Sequence, residues 1–366
     1  MLDNQEIFRK LHELIPHIIL TTNDELTILQ KVLLWLKNNS TKLNELFNNS
    51  ELSWLDTIDT THQLEGWEKP YNILGIDGSQ IYPDRHYGIN CFLLNIGFAE
   101  FNYNDHSRVI LKSIPSLYLE HDIEYEATQE NINFLRTELE FSQGLERCKV
   151  RQNADPFVFV FDGPLYFGYL NNKPEKIKKH FLSSYISLLN SFYINKIPII
   201  GFLSAPRNKE IINVIKMGLS KKIIDIGLNT ENIDFKFISD SDFIALFLKP
   251  FSRTILFSLS SDLALNYPEH LRPMFCYINC AAEIVRIEFP YWLTKDPNFE
   301  HYLNILIDQC KKGNGYPIAL SEAHEQAVVK SSDRNFFYES LSKMSSSYNH
   351  RLNFSQKSIK KRVIGL

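Results

Sequence analysis

The chain has only five cysteines in 366 residues: Cys91, Cys148, Cys276, Cys280 and Cys310, an odd number scattered along its length. Cys276 and Cys280 form a C-x3-C pair, but no second pair stands at zinc-site spacing, which argues against a disulfide scaffold and a zinc module. Buried thiols in apolar strands are the expectation, and the pattern suits a reducing cytoplasm. No uninterrupted apolar run reaches the ~20 residues that a membrane-spanning helix needs. The opening segment MLDNQEIFRKLHEL is acidic and amphipathic, unlike a secretory signal. A soluble, cytoplasmic protein with no membrane association is therefore expected. Excess positive charge is missing as well: the net charge is −4. That argues against a small basic nucleic-acid module, but not against a local basic strip beside an acidic site. There is also no internal repeat, low-complexity tract or long linker.

What is present is ordinary globular composition, 44% hydrophobic and 22% charged, in a chain long enough to bury a large core. With 26 Phe and 17 Tyr, much of that core should be aromatic. Residues 1–65 read as a helical N-terminal segment for packing or partner docking. In Ile18 to Phe47, Leu26, Leu29, Val32, Leu33, Leu36, Leu43 and Leu46 recur mostly at three- and four-residue steps. Thr22 or Asn23 is the expected cap, and Asn38 to Thr41 a possible interruption.

From Tyr71 onward the texture becomes strand-like. Strands are expected up to Asp77, over Tyr87–Phe101 and over Arg108–Leu119. A helix follows at 128–150, then the wholly apolar Phe157–Phe161, which suits a central strand covered on both faces. A helix over Glu175–Asn195 and a strand over Ile197–Leu203 make a crossover unit. Further helices are expected at Glu210–Met217 and Ser239–Leu248, and strands at Thr254–Leu259, Phe275–Asn279 and Ala282–Glu288. A closing helix follows Pro317, over about Leu320 to Lys330. The lysine-rich Lys357 to Arg362 reads as a solvated tail rather than a docking strip. The result is an α/β chain with a mixed sheet, in three parts: 1–65, 66–345 and a tail at 346–366.

Two Asp-Gly dipeptides, Asp77-Gly78 and Asp162-Gly163, stand at the ends of expected strands. Asp-Gly is a common turn signal, and two simple turns are the plain alternative. Their context points further, because each carboxylate would sit at the edge of a packed sheet. If the strands are neighbours, the carboxylates repel, and a divalent cation such as Mg²⁺ or Mn²⁺ would relieve them. The helix before Asp162 offers Glu138, Glu140 and Glu146. Glu140 follows Arg136 by four residues, so a helix-surface ion pair is the plain reading there. In the final segment, Tyr316 precedes Pro317, and His324 lies one to two turns into the closing helix. His324 could ligate a metal or orient water, although a lone helical His is more often structural.

In their order, these motifs resemble the NurA nuclease domain family. The matching pieces are Ile76-Asp77-Gly78-Ser79, the Arg136-to-Glu140 helix, Phe161-Asp162-Gly163-Pro164-Leu165, Arg286-Ile287-Glu288-Phe289-Pro290, Tyr316-Pro317 and Ala323-His324. They span about residues 70 to 340. The resemblance implies an RNase H-like mixed sheet flanked by helices, with the helical N-terminal segment as an extension. It further implies a Mn²⁺-dependent (or Mg²⁺-dependent) deoxyribonuclease acting on single- and double-stranded DNA, with 5′-to-3′ exonuclease and/or endonuclease activity.

Position by position, Asp77, Asp162 and Glu140 match the metal-binding acids, with Glu138 as the alternative register for Glu140. Tyr316 and His324 match the closing pair, His324 as a ligand or water-orienting group. Expected partners are DNA, a second copy of the chain and a hexameric ATPase of the HerA type, in DNA end processing or break repair. The competing expectations are a DNA- or translocase-binding adaptor without cleavage, a fold without metal, and a nuclease for defence against phage. Pro164 departs from the small residue expected there, and residues 204–275 match only loosely. Arg85, Arg207 and Arg253 are candidates for backbone contacts. Neither Arg253 nor Asp242 is assigned a catalytic role.

Overall fold

The computed structural model of the chain describes residues 2–39, 52–54, 58–68, 70–84, 91–104, 107–150, 155–230 and 233–347. In chain order the elements begin with α1 (Asn4–Asn38), β1 (Leu52–Trp54), β2 (Thr61–Gln63), β3 (Tyr71–Ile81), β4 (Cys91–Tyr103) and β5 (Arg108–Leu119). Next come α2 (Gln129–Lys149), β6 (Phe157–Asp162), α3 (Glu175–Ile194), β7 (Ile199–Leu203) and α4 (Glu210–Ser220). They are followed by α5 (Asp240–Ala245), β8 (Ser252–Thr254), β9 (Phe257–Leu259) and α6 (Asp262–Leu265). The chain closes with β10 (Pro273–Asn279), β11 (Ile284–Pro290), α7 (Phe299–Lys312), α8 (Ile318–Ala327) and α9 (Ser331–Ser347).

These elements fall into two compact units, each drawn from separate stretches of chain. One comprises Met1–Trp67, Gly163–Tyr166 and Gly201–Tyr316; the other comprises Glu68–Asp162, Phe167–Ile200 and Pro317–Leu366.

In the second of these units, β3, β4 and β5 form an antiparallel meander. β6 then adds to the other side of β3 in parallel, with Asn72 opposite Phe157 and Ile76 opposite Phe161. A parallel neighbour needs a crossover, which α2 supplies. The helix begins where the Thr128 side chain accepts the Asn131 N–H at 3.1 Å. α2 and α3 cover one sheet face through aromatic rings. Phe141 lies 4.5 Å from Phe161, Phe159 5.0 Å from Phe192, and Phe167 4.5 Å from Tyr185, centroid to centroid.

The other face carries α8. Its backbone approaches so closely that a Cβ at Gly97 would collide with the Ala327 nitrogen and the Ala323 carbonyl. A mixed sheet with helices on its faces is the RNase H-like α/β arrangement that the sequence predicted.

In the other unit, β1, β9, β10 and β11 run in that order, with the last residues of β7 antiparallel to β11. α1 docks through Leu29, Val32, Leu33 and Leu36, in a core with Ile211, Ile215, Phe243, Phe257 and Phe275. Glu25 on the same helix is buried, yet its carboxylate accepts the N–H groups of Lys236, Phe237 and Ile238 at 2.8, 3.1 and 3.2 Å.

A second set of buried charges sits on β11. Arg286 is fully buried, with its Nε 2.7 Å from Glu288, its Nη1 3.1 Å from Glu210 and its guanidinium 3.6 Å above the Phe275 ring. Asp240 accepts from the Ile212 N–H and the Tyr277 hydroxyl. Burial, and then the Glu210 charge, push the Asp240 carboxyl well above the usual carboxylate range.

Four expectations need correction. Helix α1 starts at Asn4, not near Ile18: Asp3 is its cap, accepting from Gln5 and Glu6, whereas the Thr22 hydroxyl turns back to the Ile18 carbonyl. Pro16 sits inside it, where the missing N–H leaves a carbonyl one turn earlier on an exposed stretch that water can serve. Residues 1–65 are not wholly helical, because β1 and β2 pair with β9 and β8. α8 is not the closing helix, since α9 follows after a three-residue break. Thr254–Leu259 is two short strands, β8 and β9, rather than one. The lysine-rich tail and Arg85 lie outside the described residues. All five cysteines are free and buried, as expected, and no helix among the described residues is long and apolar enough to cross a membrane.

Candidate active site

The parallel register sets the first two acids side by side. Ile76 pairs with Phe161, and the next residue in each strand is an aspartate, Asp77 and Asp162. Because side chains alternate across a strand, both carboxylates leave the sheet on the face opposite the Phe141–Phe161 packing. That is also the face of Gly97, the residue directly paired with Asp77.

The third acid arrives from the other face. Glu140 on α2 is 2% exposed, and its Oε1 lies over the Cα of Gly78, where a Cβ would collide with it and stand 2.9 Å from the Arg136 Cγ. Glycine after the aspartate is therefore the opening through which a helix carboxylate reaches the strand end. The plain turn reading of Asp77-Gly78 does not hold locally, since both residues lie within an eleven-residue strand.

Burial pushes the Glu140 carboxyl up to about 8; the Arg136 charge opposes this, and the Asp77 and Asp162 charges add to it. Arg136 Nε stands 3.2 Å from Glu140 Oε1, as the four-residue spacing predicted. Neither atom has a hydrogen-bond partner among the described residues. The guanidinium is instead drawn by Nη1 to Gln80 Oε1 at 3.0 Å. Glu138 behaves differently: its Oε1 accepts the Ser184 hydroxyl of α3 at 2.6 Å.

His324 approaches from α8. Its Nδ1 lies 2.7 Å from Asp77 Oδ2, while Asp77 Oδ1 accepts the Gly78 N–H at 2.7 Å. A carboxylate only accepts, so Nδ1 bears the hydrogen, and Nε2 of the neutral ring is the remaining acceptor. The imidazole is 58% exposed and the Asp77 side chain 15%. The helix is pinned alongside by the Ser79 hydroxyl, which donates to the Ala327 carbonyl, and by Asn95 Nδ2, 2.8 Å from the same oxygen.

The structure thus brings together Asp77, Glu140, Asp162 and His324 within one unit. Tyr316 belongs to the other unit, where its ring packs edge-on to Phe202 with centroids 5.3 Å apart. Arg253 is buried against Glu300 and donates to its own neighbour's carbonyl, which removes it from the candidates for DNA contacts. Arg207 is exposed, and Asp242 accepts the Ser239 N–H at the start of α5.

No three His, Cys, Asp or Glu side chains among the described residues close into a metal-coordinating cluster. Instead, Arg136 ion-pairs with Glu140 and His324 hydrogen-bonds to Asp77. The donor set nevertheless fits a hard divalent cation. It consists of carboxylate oxygens, one of them buried without a hydrogen bond, in a cluster that has more acids than bases.

Sequence reading missed two features. Gly78 serves as a passage for Glu140, which only three-dimensional packing reveals. Glu288 grips the loop after Asp162 (Leu165 and Tyr166 N–H, each 2.8 Å); its signal was two charges alternating within an otherwise apolar strand.

The sequence matches the NurA domain family model over residues 71–329. Among curated proteins, none matches it. In structure it is similar to the NurA nuclease from Sulfolobus solfataricus, with 14% identity, 95% of this chain and 98% of that one covered, and a TM-score of 0.55. A second NurA crystal structure aligns over 93% of this chain and 97% of its own, at 12% identity and a TM-score of 0.42.

Proposed function

The chain belongs to the NurA family, and from that premise we propose that it is a metal-dependent deoxyribonuclease whose centre is Asp77, Glu140 and Asp162. The observation that carries this reading is the buried Glu140 carboxylate, brought across Gly78 against Asp77 within β3 and Asp162 at the end of β6, and left without a hydrogen bond on Oε1. Buried polar atoms are nearly always hydrogen-bonded, so a buried carboxylate oxygen held only by the Arg136 ion pair, in an acidic cluster, fits a cation ligand.

Asp77, Asp162 and Glu140 would hold Mn²⁺ or Mg²⁺, and His324 through Nε2 is the fourth candidate ligand. When bound, such an ion lowers the pKa of a water and neutralises charge on a phosphodiester. Asp77 fixes the His324 tautomer through Oδ2, leaving the single Nε2 lone pair either to ligate the ion or, where it does not, to take a proton from the attacking water. Arg136 supplies the positive charge that balances Glu140 before the ion enters. Tyr316 contacts the phosphate or shapes the pocket. Backbone contacts by Lys and Arg side chains would make binding sequence-independent and salt-sensitive.

The finer parts of the proposal follow the family: exonuclease and/or endonuclease cutting of single- and double-stranded DNA, a homodimer, a HerA-type hexameric ATPase and a cytoplasmic role in end processing. A nuclease domain at 66–345 with a tail from 346 belongs to the same reading. The competing reading is a DNA- or translocase-binding adaptor without cleavage.

Cleavage of end-labelled single- and double-stranded DNA with Mn²⁺, Mg²⁺ or EDTA, in wild type and Asp77→Ala, decides between them. The nuclease reading expects metal-dependent cutting that the substitution abolishes. Binding of DNA with no cutting under any metal, with or without a HerA-type ATPase, would leave the adaptor.

A further inference from the structure

The motif Arg286-Ile287-Glu288 has no part in the chemistry above, yet it holds two deeply buried charged side chains. Glu288 is 2% exposed. Its Oε1 faces Arg286 Nε at 2.7 Å, and its Oε2 accepts the N–H groups of Leu165 and Tyr166, both at 2.8 Å. The same short loop is tied at two further points. The Tyr267 hydroxyl donates to the Leu165 carbonyl at 3.1 Å, and the Tyr166 hydroxyl lies 2.8 Å from Ser261 Oγ.

A backbone turn that leaves a strand through Gly and Pro has several paths open to it. An ionised acceptor shared by two consecutive N–H groups selects one, because charge-assisted bonds are about twice as strong as neutral ones. The loop starts at Gly163, the residue after Asp162.

We propose that Glu288 is a positioning residue for Asp162. Arg286 fixes the Glu288 carboxylate, the carboxylate fixes the Leu165 and Tyr166 amides, and the held loop fixes the backbone from which the Asp162 carboxylate leaves the strand. Its functional consequence rests on the nuclease reading; its structural one does not. Glu25 is an internal comparison. It performs the same chemistry on three amides, Lys236 to Ile238, in a segment that bears no candidate site residue.

The test uses the full chain and three variants. Glu288→Ala would strand the Arg286 charge and risks unfolding, so the pair is replaced together as R286M/E288L, an apolar exchange that buried ion pairs often tolerate. E288Q is the second variant, since one amide oxygen cannot serve both Arg286 and the loop. E25Q is the control.

Melting curves first establish that each variant is folded. In R286M/E288L, or in E288Q if the double variant does not fold, the Leu165 and Tyr166 amides should exchange hydrogen at least roughly tenfold faster. Mn²⁺ affinity by calorimetry, and DNA cleavage with it, should fall about 10–100-fold, as for lost outer-shell partners. E25Q should leave Mn²⁺ affinity unchanged. Wild-type exchange at those two amides in a folded variant would overturn the clamp, and wild-type Mn²⁺ affinity alongside faster exchange would overturn the positioning role. If the wild type itself binds no Mn²⁺ and cuts no DNA, the nuclease reading fails, while amide exchange still decides whether Glu288 holds the loop.

Discussion

Each of the two units gathers carboxylates, and the two gatherings are built differently. Glu288, Asp240 and Glu25 are buried within their unit and are matched to partners: Arg286, the Tyr277 hydroxyl and six backbone N–H groups. Asp77, Glu140 and Asp162 lie beside an exposed histidine, and one buried oxygen of Glu140 has no hydrogen bond at all. Acids that are matched hold a fold together. Acids that are crowded against one another oppose it, and they persist where an ion or substrate is to be bound. Residue type alone does not separate the two; what separates them is whether donors converge on each oxygen.

The largest contrast should come from deleting single acids. Asp77→Ala, Glu140→Ala and Asp162→Ala should each lower metal-dependent DNA cleavage by more than the roughly 10–100-fold that an outer-shell loss costs, with little fall in melting temperature. Near-wild-type cutting by any of them would erase the distinction. The matched set should show the reverse in stability. Arg286→Ala, which strands Glu288 and removes the cation beside Glu210, should cost about 3–5 kcal/mol in urea unfolding, and R286M/E288L should recover the part due to Glu288.

A third effect is smaller and opposite in sign. The Glu140 carboxyl is raised to about 8 from its usual 4.5, so between those pH values the folded chain holds more protons than the unfolded one. Stability is then greatest at the low end of that window and falls as pH rises through it. Metal-free Glu140→Gln should therefore melt several degrees above wild type at pH 8.5, with the gap closing towards pH 4.5. The smallest effect concerns the histidine. Gly97→Ala would push its new methyl into the α8 backbone, costing about 1–3 kcal/mol and loosening the Asp77–His324 contact, measurable as a changed His324 imidazole signal by NMR.

Much of this was legible before any coordinates. Apolar runs leading into Asp77 and Asp162 marked both as strand residues, although β3 continues four residues past Asp77, and Glu140 could be placed on a helix. The register that makes the two strands parallel neighbours was not legible, because it depends on the crossover through α2. Nor was the choice between Glu140 and Glu138 open to spacing alone. Residues two positions apart on a helix point about 200° apart, and only the packing sends Glu140 towards Gly78 and Glu138 to Ser184. Strands β1 and β2 are three residues long, too short for periodicity to register. Glu288 was visible as a charge in an apolar strand, but its partners lie over a hundred residues away in sequence.

The most direct test of the central claim is Mn²⁺ binding to the full chain, by calorimetry at neutral pH, in wild type, Asp77→Ala and Glu140→Gln. The account predicts binding in the wild type that is lost or severely weakened in both variants. Equal affinity in all three, or no binding in the wild type, would contradict it.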